Sequence, residues 1–425
     1  MLNKTYQTHK ETIHNFIWRS LQVFGKQGIT FLIFILCAKL LTPYEFGIYN
    51  YVLAIIFFLI IFGDFGISTA TSKYVAEYNV TDKEKLKSVL FNSGIIILGL
   101  TILITILTLI IGPWYLKDKY VYVLYLLPLI FLAPMTSLYD GIYRGLKQFK
   151  KLAIISIIIG VISIPLVYIL IKQYGLIGAL ISQGLFYLTL LISLALGYRD
   201  FSFKFNREVM KEVGKYSLII GIANFGYFIY TRINILILGH FNFITEIGYY
   251  EIINKLFLIL IIPFTILSQV ISPNITEIYS MNKLEELIKK YKKYMFFSFL
   301  GGLIIMLFTL MLMPLILKYL LSQYYNPITL NILYILSILL ITQSMGVIAA
   351  VGFSTSSGYA KLNMYFLLIF GIINIFLSIF LVKSLGFMGI IYSTLIIKLL
   401  TDIIFIWVYN LKIKKLIKHK SLIQK

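Results

Sequence analysis

Charge is scarce in this chain, and acid is scarcer than base. Only 13% of the 425 residues are charged, with 17 Asp and Glu against 38 Lys and Arg, where a soluble domain carries about a quarter. That excludes the solvated surface of an ordinary globular protein. A single cysteine, Cys37, excludes an internal disulfide. The four histidines, His9, His14, His240 and His419, are scattered over tails and one loop, so no metal-ligand cluster is expected. There is no G-x-x-x-x-G-K-[ST] loop to cradle a nucleotide and no G-x-S-x-G elbow to expose a nucleophile. No catalytic residue and no cofactor is expected. Strand-like alternation is missing too, which excludes a membrane barrel.

What fills the chain is apolar. Hydrophobic residues make up 60% and the mean hydropathy is +0.90. They come in runs of about twenty, the length a helix needs to cross roughly 30 Å of hydrocarbon. Unpaired backbone polar groups are not tolerated in lipid, so these runs are helices. The sequence predicts an all-α integral membrane protein with twelve spans, near 18–41, 46–70, 89–111, 122–143, 152–171, 176–197, 216–239, 248–273, 294–317, 330–353, 363–381 and 387–408. The outer gaps hold only Lys117, Lys119, Lys172, Lys318 and Lys383. Most other cations fall in the alternate gaps and tails. The positive-inside rule therefore puts both termini in the cytoplasm. The net charge of +21 is then topological, with some attraction to anionic membrane lipids, and nucleic acid is not an expected partner.

Two halves of the chain echo each other. Glu45-Phe46-Gly47-Ile48-Tyr49 is answered by Glu246-Ile247-Gly248-Tyr249-Tyr250, TDKEKL (81–86) by NKLEEL (282–287), and GLIGALIS (175–182) by GFMGIIYS (386–393). The order implies two parallel six-helix repeats, related by a pseudo-twofold axis along the membrane normal. The expected domains are 1–200, an N-terminal lobe, and 201–425, a C-terminal lobe with a basic cytoplasmic tail. Thr81 with Glu84, and Asn282 with Glu285, read as capping boxes at helix starts. Segments 206–216 and 284–291 each place apolar residues on one face. They read either as amphipathic helices lying on the inner surface or as extensions of the next span.

A charge at the bilayer centre costs about 2.5–3.5 kcal/mol on the insertion scale, so each intramembrane charge must face other helices or water. Arg19, Gln22, Lys26 and Thr30 share one face of the first span. Asp64, in the second, lies at a depth to pair with Lys26. In the seventh span Asn224, Tyr227, Thr231 and Asn234 form a heptad-spaced polar stripe bordered by Arg232. Lys255, beside Glu251 and Asn254 in the eighth, lies at the depth of Arg232. Two like charges there make sense if an anion arrives between them or if Glu251 neutralises one. Lys398 and Asp402 are four apart and can pair on one face. Asp140 and Arg144 read as boundary charges. Ions handled by Asp64, Glu251 or Asp402 would supply any driving energy.

The opening segment 21–74, with its A-K-L-L-T-P-x-E-F-G-x-Y turn and the D-F-G-I at 64–67, resembles the polysaccharide-transporter (Wzx-type) flippases of the multidrug/oligosaccharidyl-lipid/polysaccharide superfamily. The resemblance implies a MATE-like, V-shaped, two-lobe architecture in a bacterial cytoplasmic membrane. It implies translocation of undecaprenyl-diphosphate-linked oligosaccharide (O-antigen, capsule or exopolysaccharide units) to the outer leaflet by alternating access. Coupling to H⁺ or Na⁺ and work alongside polysaccharide polymerase machinery belong to the same implication. By position, Arg232, Lys255, Lys26 and Arg19 would be the lumen cations meeting the diphosphate. Two other readings stand: a cation-coupled exporter of small molecules on the same architecture, and a membrane glycan polymerase or ligase, against which the short outer loops weigh.

Overall fold

The computed structural model describes residues 2–423, with side chains over 17–417. Helices account for almost all of it, and no strand occurs among the described residues. The chain divides into two compact units, Met1–Phe225 and Gly226–Lys425. The expected boundary stood at 200/201. The division instead falls inside one continuous helix.

The first unit contains α1 (Leu2–Leu40), α2 (Pro43–Asp64), α3 (Ile67–Thr81), α4 (Lys83–Leu116), α5 (Tyr120–Leu126), α6 (Leu129–Gly145), α7 (Phe149–Gly197) and the start of α8 (Arg207–His240). Apolar side chains of α3, α4, α6 and α7 build its core, joined by Val209 and Val213 of α8. The second unit takes the rest of α8, then α9 (Ile244–Leu260), α10 (Ile262–Ser280), α11 (Leu284–Leu320), α12 (Pro327–Ser337), α13 (Leu339–Val347), a π-helical stretch Ile348–Thr355, α14 (Ala360–Leu385) and α15 (Met388–Ile423). Ile271, Tyr291, Phe353 and Tyr409 lie in its core. Segments 206–216 and 284–291 are therefore the first turns of α8 and α11, packed on protein, and not separate surface helices.

Each expected span finds its helix. Among the described residues nine helical stretches are long and apolar enough to cross a membrane on their own, and Pro327–Ser337 with Leu339–Thr355, bent by 46°, makes a tenth. Another appears once Phe149–Gly197 is divided at Gly175 (φ 54°, ψ −131°), and α5 with α6 forms the pass expected near 122–143. Four spans expected to be unbroken are interrupted, at Phe65-Gly66, at Leu127-Pro128, at Ile261 and at Ile338.

At Gly175 the chain turns straight back. A Cβ on Gly178 would lie 1.9 Å from the Leu170 carbonyl oxygen, although eight residues of straight helix would hold them about 12 Å apart. The second unit repeats the device. Gly386 has φ 60° and ψ −145°, and a Cβ on Gly389 would lie 2.2 Å from the Leu381 carbonyl oxygen. Left-handed φ and backbone contact both call for glycine, so the match between 175–182 and 386–393 has a physical cause.

The other repeat signals are less symmetric. Thr42 caps α2 in a full capping box with Glu45, and Pro43 opens the helix. Its counterpart α9 starts from Phe243 with no side-chain cap. The expected boxes at 81–84 and 282–285 are not formed. Thr81 ends α3 with its hydroxyl on the Glu77 carbonyl, so Asp82, the one residue between α3 and α4, accepts from the Glu84 and Lys85 amides. Lys283 holds the N-cap position of α11 without a side-chain bond, and Asn282 has φ 56°.

Candidate functional site

In the second unit α8 and α9 run back from one turn, which sets Arg232 opposite Glu251. The Arg232 guanidinium donates to Glu251 Oε2 at 2.9 Å, and Asn254 Nδ2 donates to Oε1 at 2.9 Å. Glu251 is wholly buried while Arg232 keeps 28% of its side chain exposed. Lys255 lies within electrostatic range of both. Lys398, on α15, feels Glu251, Arg232 and Asp402. Three cations thus gather about two carboxylates. Lys398 and Asp402 are not in ion-pair contact, although four residues apart on one helix: no N–O distance of 4.0 Å or less joins them. Asp402 instead lies against Gly346, where a Cβ would be 2.3 Å from Oδ1. Its Oδ2 is buried with no hydrogen-bond partner among the described residues.

A second cluster occupies the first unit. Arg19 donates to the Gln22 side chain, Gln22 Nε2 donates to Asp140 Oδ1 at 3.1 Å, and Arg144 Nε meets Asp140 Oδ2 at 2.6 Å. Asp140 and Arg144 are therefore part of a network reaching α1. The expected Lys26–Asp64 pair is not formed. Asp64 accepts from the backbone N–H and the hydroxyl of Ser68 at 3.0 and 2.9 Å, capping α3. Lys26 is exposed, on a helix that packs chiefly along α7 and only slightly on α2.

With this geometry in hand, relatives can be compared. A family model described as polysaccharide biosynthesis protein matches residues 12–279, more than half of the chain. The chain belongs to that family. A relative of this family member, the "uncharacterized membrane protein MJ1375" of Methanocaldococcus jannaschii, is 25% identical over 409 residues, 92% of this chain and 95% of the relative. Among solved structures, a multidrug resistance MATE family transporter of the MOP superfamily, in an inward-facing conformation, is similar with a TM-score of 0.80 at 16% identity, covering 94% of this chain and 99% of that one. The lipid II flippase MurJ, in an inward closed conformation, is similar at 0.71 and 19% identity, covering 93% and 90%. A MOP superfamily transporter from Pyrococcus furiosus is similar at 0.63 and 17%, covering 96% of each chain. The fold of this polysaccharide biosynthesis family member is thus MATE-like.

The remaining expected site residues divide. Along the stripe of α8, Asn224 and Tyr227 are exposed and Thr231 half-buried. Asn234 is buried in the second unit. It donates to Thr394 Oγ1 at 2.7 Å and accepts from Asn374 at 3.0 Å and Ser378 at 3.2 Å. Gln22 is likewise buried, inside the Arg19–Asp140 network. Sequence reasoning missed Asn374, Ser378 and Thr394, since their link to Asn234 spans 140 residues or more. No local pattern carries such a link. Among the described residues no group of three or more His, Cys, Asp or Glu could hold a metal. His9, His14 and His419 lie outside the described side chains.

Proposed function

We propose that this family member is a flippase for undecaprenyl-diphosphate-linked oligosaccharide, in a bacterial cytoplasmic membrane, with both termini cytoplasmic. One observation carries the reading: Arg232, Lys255 and Lys398 outnumber Glu251 and Asp402 in the second unit, within a chain of the polysaccharide biosynthesis family. Taking a bare diphosphate through hydrocarbon would cost on the order of tens of kcal/mol. Charge-assisted hydrogen bonds from Arg232 and Lys255 offset that cost where water is scarce. Glu251 holds the Arg232 fork and limits the positive field, so the anion is released again. No covalent step is required, so a catalytic residue has no part in this reading. The motion is alternating access, and the lipid tail stays in the bilayer.

Asp402 is the group we assign to ion coupling. Asp64 is spent on capping α3 and Glu251 is paired, whereas Asp402 Oδ2 has no partner among the described residues. A carboxylate so placed can carry H⁺ or help to hold Na⁺ during transport.

The test is outer-leaflet delivery of the lipid-linked glycan in cells lacking the endogenous protein. Arg232→Gln with Glu251→Gln leaves the net charge of the site unchanged and no buried charge unpaired, and should abolish delivery at normal protein level, as should Lys255→Gln. Full delivery by both variants would remove these residues from the substrate site. The unpartnered acid also favours a second reading, a cation-coupled exporter. That reading predicts altered resistance to small cationic compounds, with glycan delivery unaffected.

A further inference from the structure

The first-unit cluster is more than a neutralised boundary pair. Arg144 spends its Nε on Asp140, and its two terminal nitrogens have no acceptor among the described residues. Arg19 uses one nitrogen, on Gln22, and is close enough to Arg144 for the two to repel. One turn of chain away, the Lys150 ammonium stands 5.6 Å from the centre of the Trp18 ring. Lys147 occupies the tight turn between α6 and α7, with φ 58°. Among the described residues Asp140 is the one acid bonded into this group, and Asp64 lies within electrostatic range of Arg144. Donors directed at no protein acceptor, on either side of a half-buried carboxylate, are what a phosphate diester would satisfy.

Location says which phosphate. Trp and Lys together mark the headgroup level of a membrane. On the charge count, the turn at 146–148 faces the inner leaflet. Basic pockets between helices on that side suit anionic lipid headgroups. We propose that Trp18, Arg19, Arg144, Lys147 and Lys150 form a docking site for the headgroup of an anionic phospholipid, with Asp140 setting its strength. The site binds a lipid of the surrounding leaflet and is separate from the diphosphate assignment in the second unit. The lipid phosphate lies between the Arg144 fork and Lys150, and the Trp18 ring covers the glycerol.

Full-length protein in phosphatidylcholine nanodiscs doped with phosphatidylglycerol tests this, with retained lipid counted by native mass spectrometry. Each cation near a membrane surface is worth about fivefold in anionic lipid binding, so Lys150→Gln should cost about fivefold and Arg144→Gln/Lys150→Gln about 30-fold. Lys150 is exposed, so its variant folds even if the double does not. Asp140→Asn should tighten binding by about fivefold, a sign that loss of structure would not produce. Lys383→Gln, on the other face, should change nothing. Equal phosphatidylglycerol retention in all variants overturns the proposal. So does binding of inorganic pyrophosphate to lipid-free protein with the same variant dependence, together with unchanged phosphatidylglycerol retention when pyrophosphate is added to the nanodiscs, which would make the ligand a soluble phosphate.

Discussion

Removing Glu251 or its partner Arg232 should destabilise the second unit more than any other single charge change there. The carboxylate is wholly buried and accepts from Arg232 and Asn254, each at 2.9 Å. Breaking one side of a buried pair costs about 3–5 kcal/mol, because the partner is left charged and dry. Arg232 keeps 28% exposure and can turn partly toward water, so the lower end applies: about 3 kcal/mol for Glu251→Ala. Arg232→Ala should cost about the same, since Glu251 has no route to water and keeps only Asn254 as a hydrogen-bond donor plus the field of Lys255. The double variant removes both charges and should lose far less than the sum. Unfolding by SDS titration in mixed micelles, run over the four proteins of the cycle, should give a coupling of about 2 kcal/mol or more. Additive losses would mean that the pair does not exist as described, and the site built around it would fall too.

Other outcomes follow from the same geometry. Gly178→Ala must push the hairpin open, because its Cβ would meet the Leu170 oxygen at 1.9 Å, and should cost at least about 1–3 kcal/mol. Gly184→Ala, later in α7 with nothing within 4 Å of its Cβ, should instead gain up to about 1 kcal/mol; thermal unfolding in detergent compares the two. Asn234→Ala takes the acceptor from Asn374 Nδ2, while Ser378 and Thr394 keep Ser393 and the Ile390 carbonyl, and should lower stability by about 1–3 kcal/mol, read by the same method, with delivery of the proposed glycan returning whenever protein level is restored. Asp402→Asn should leave substrate binding intact while abolishing the dependence of transport on an imposed ion gradient in proteoliposomes.

The helices were legible because lipid leaves few choices. An apolar run of span length has to be helical, and a reversal between two runs has to be marked by glycine, as at 175 and 386. Breaks inside spans were not legible. At Phe65-Gly66 an apolar stretch resumes directly after Asp64, yet the helix stops where Phe65 and Gly66 turn left-handed, with φ 35° and 81°, and Asp64 caps the helix that follows. Charge placement was half legible. Depth along α8 and α9 brought Arg232, Glu251 and Lys255 together, since antiparallel neighbours joined by a short turn share a coordinate. The same counting failed for Lys26 and Asp64, because α1 lies along α7, a partner distant in sequence. It also missed the reach of Gln22 to Asp140, across 118 residues.

The reversals at Gly175 and Gly386 bear on how the chain enters the bilayer. An arm that doubles back within one residue leaves no stretch long enough to rest on the far side. The two arms of α7, and likewise α14 with α15, must therefore pass into lipid together. A nascent chain halted between them would keep the first arm at the insertion machinery until its mate had been made.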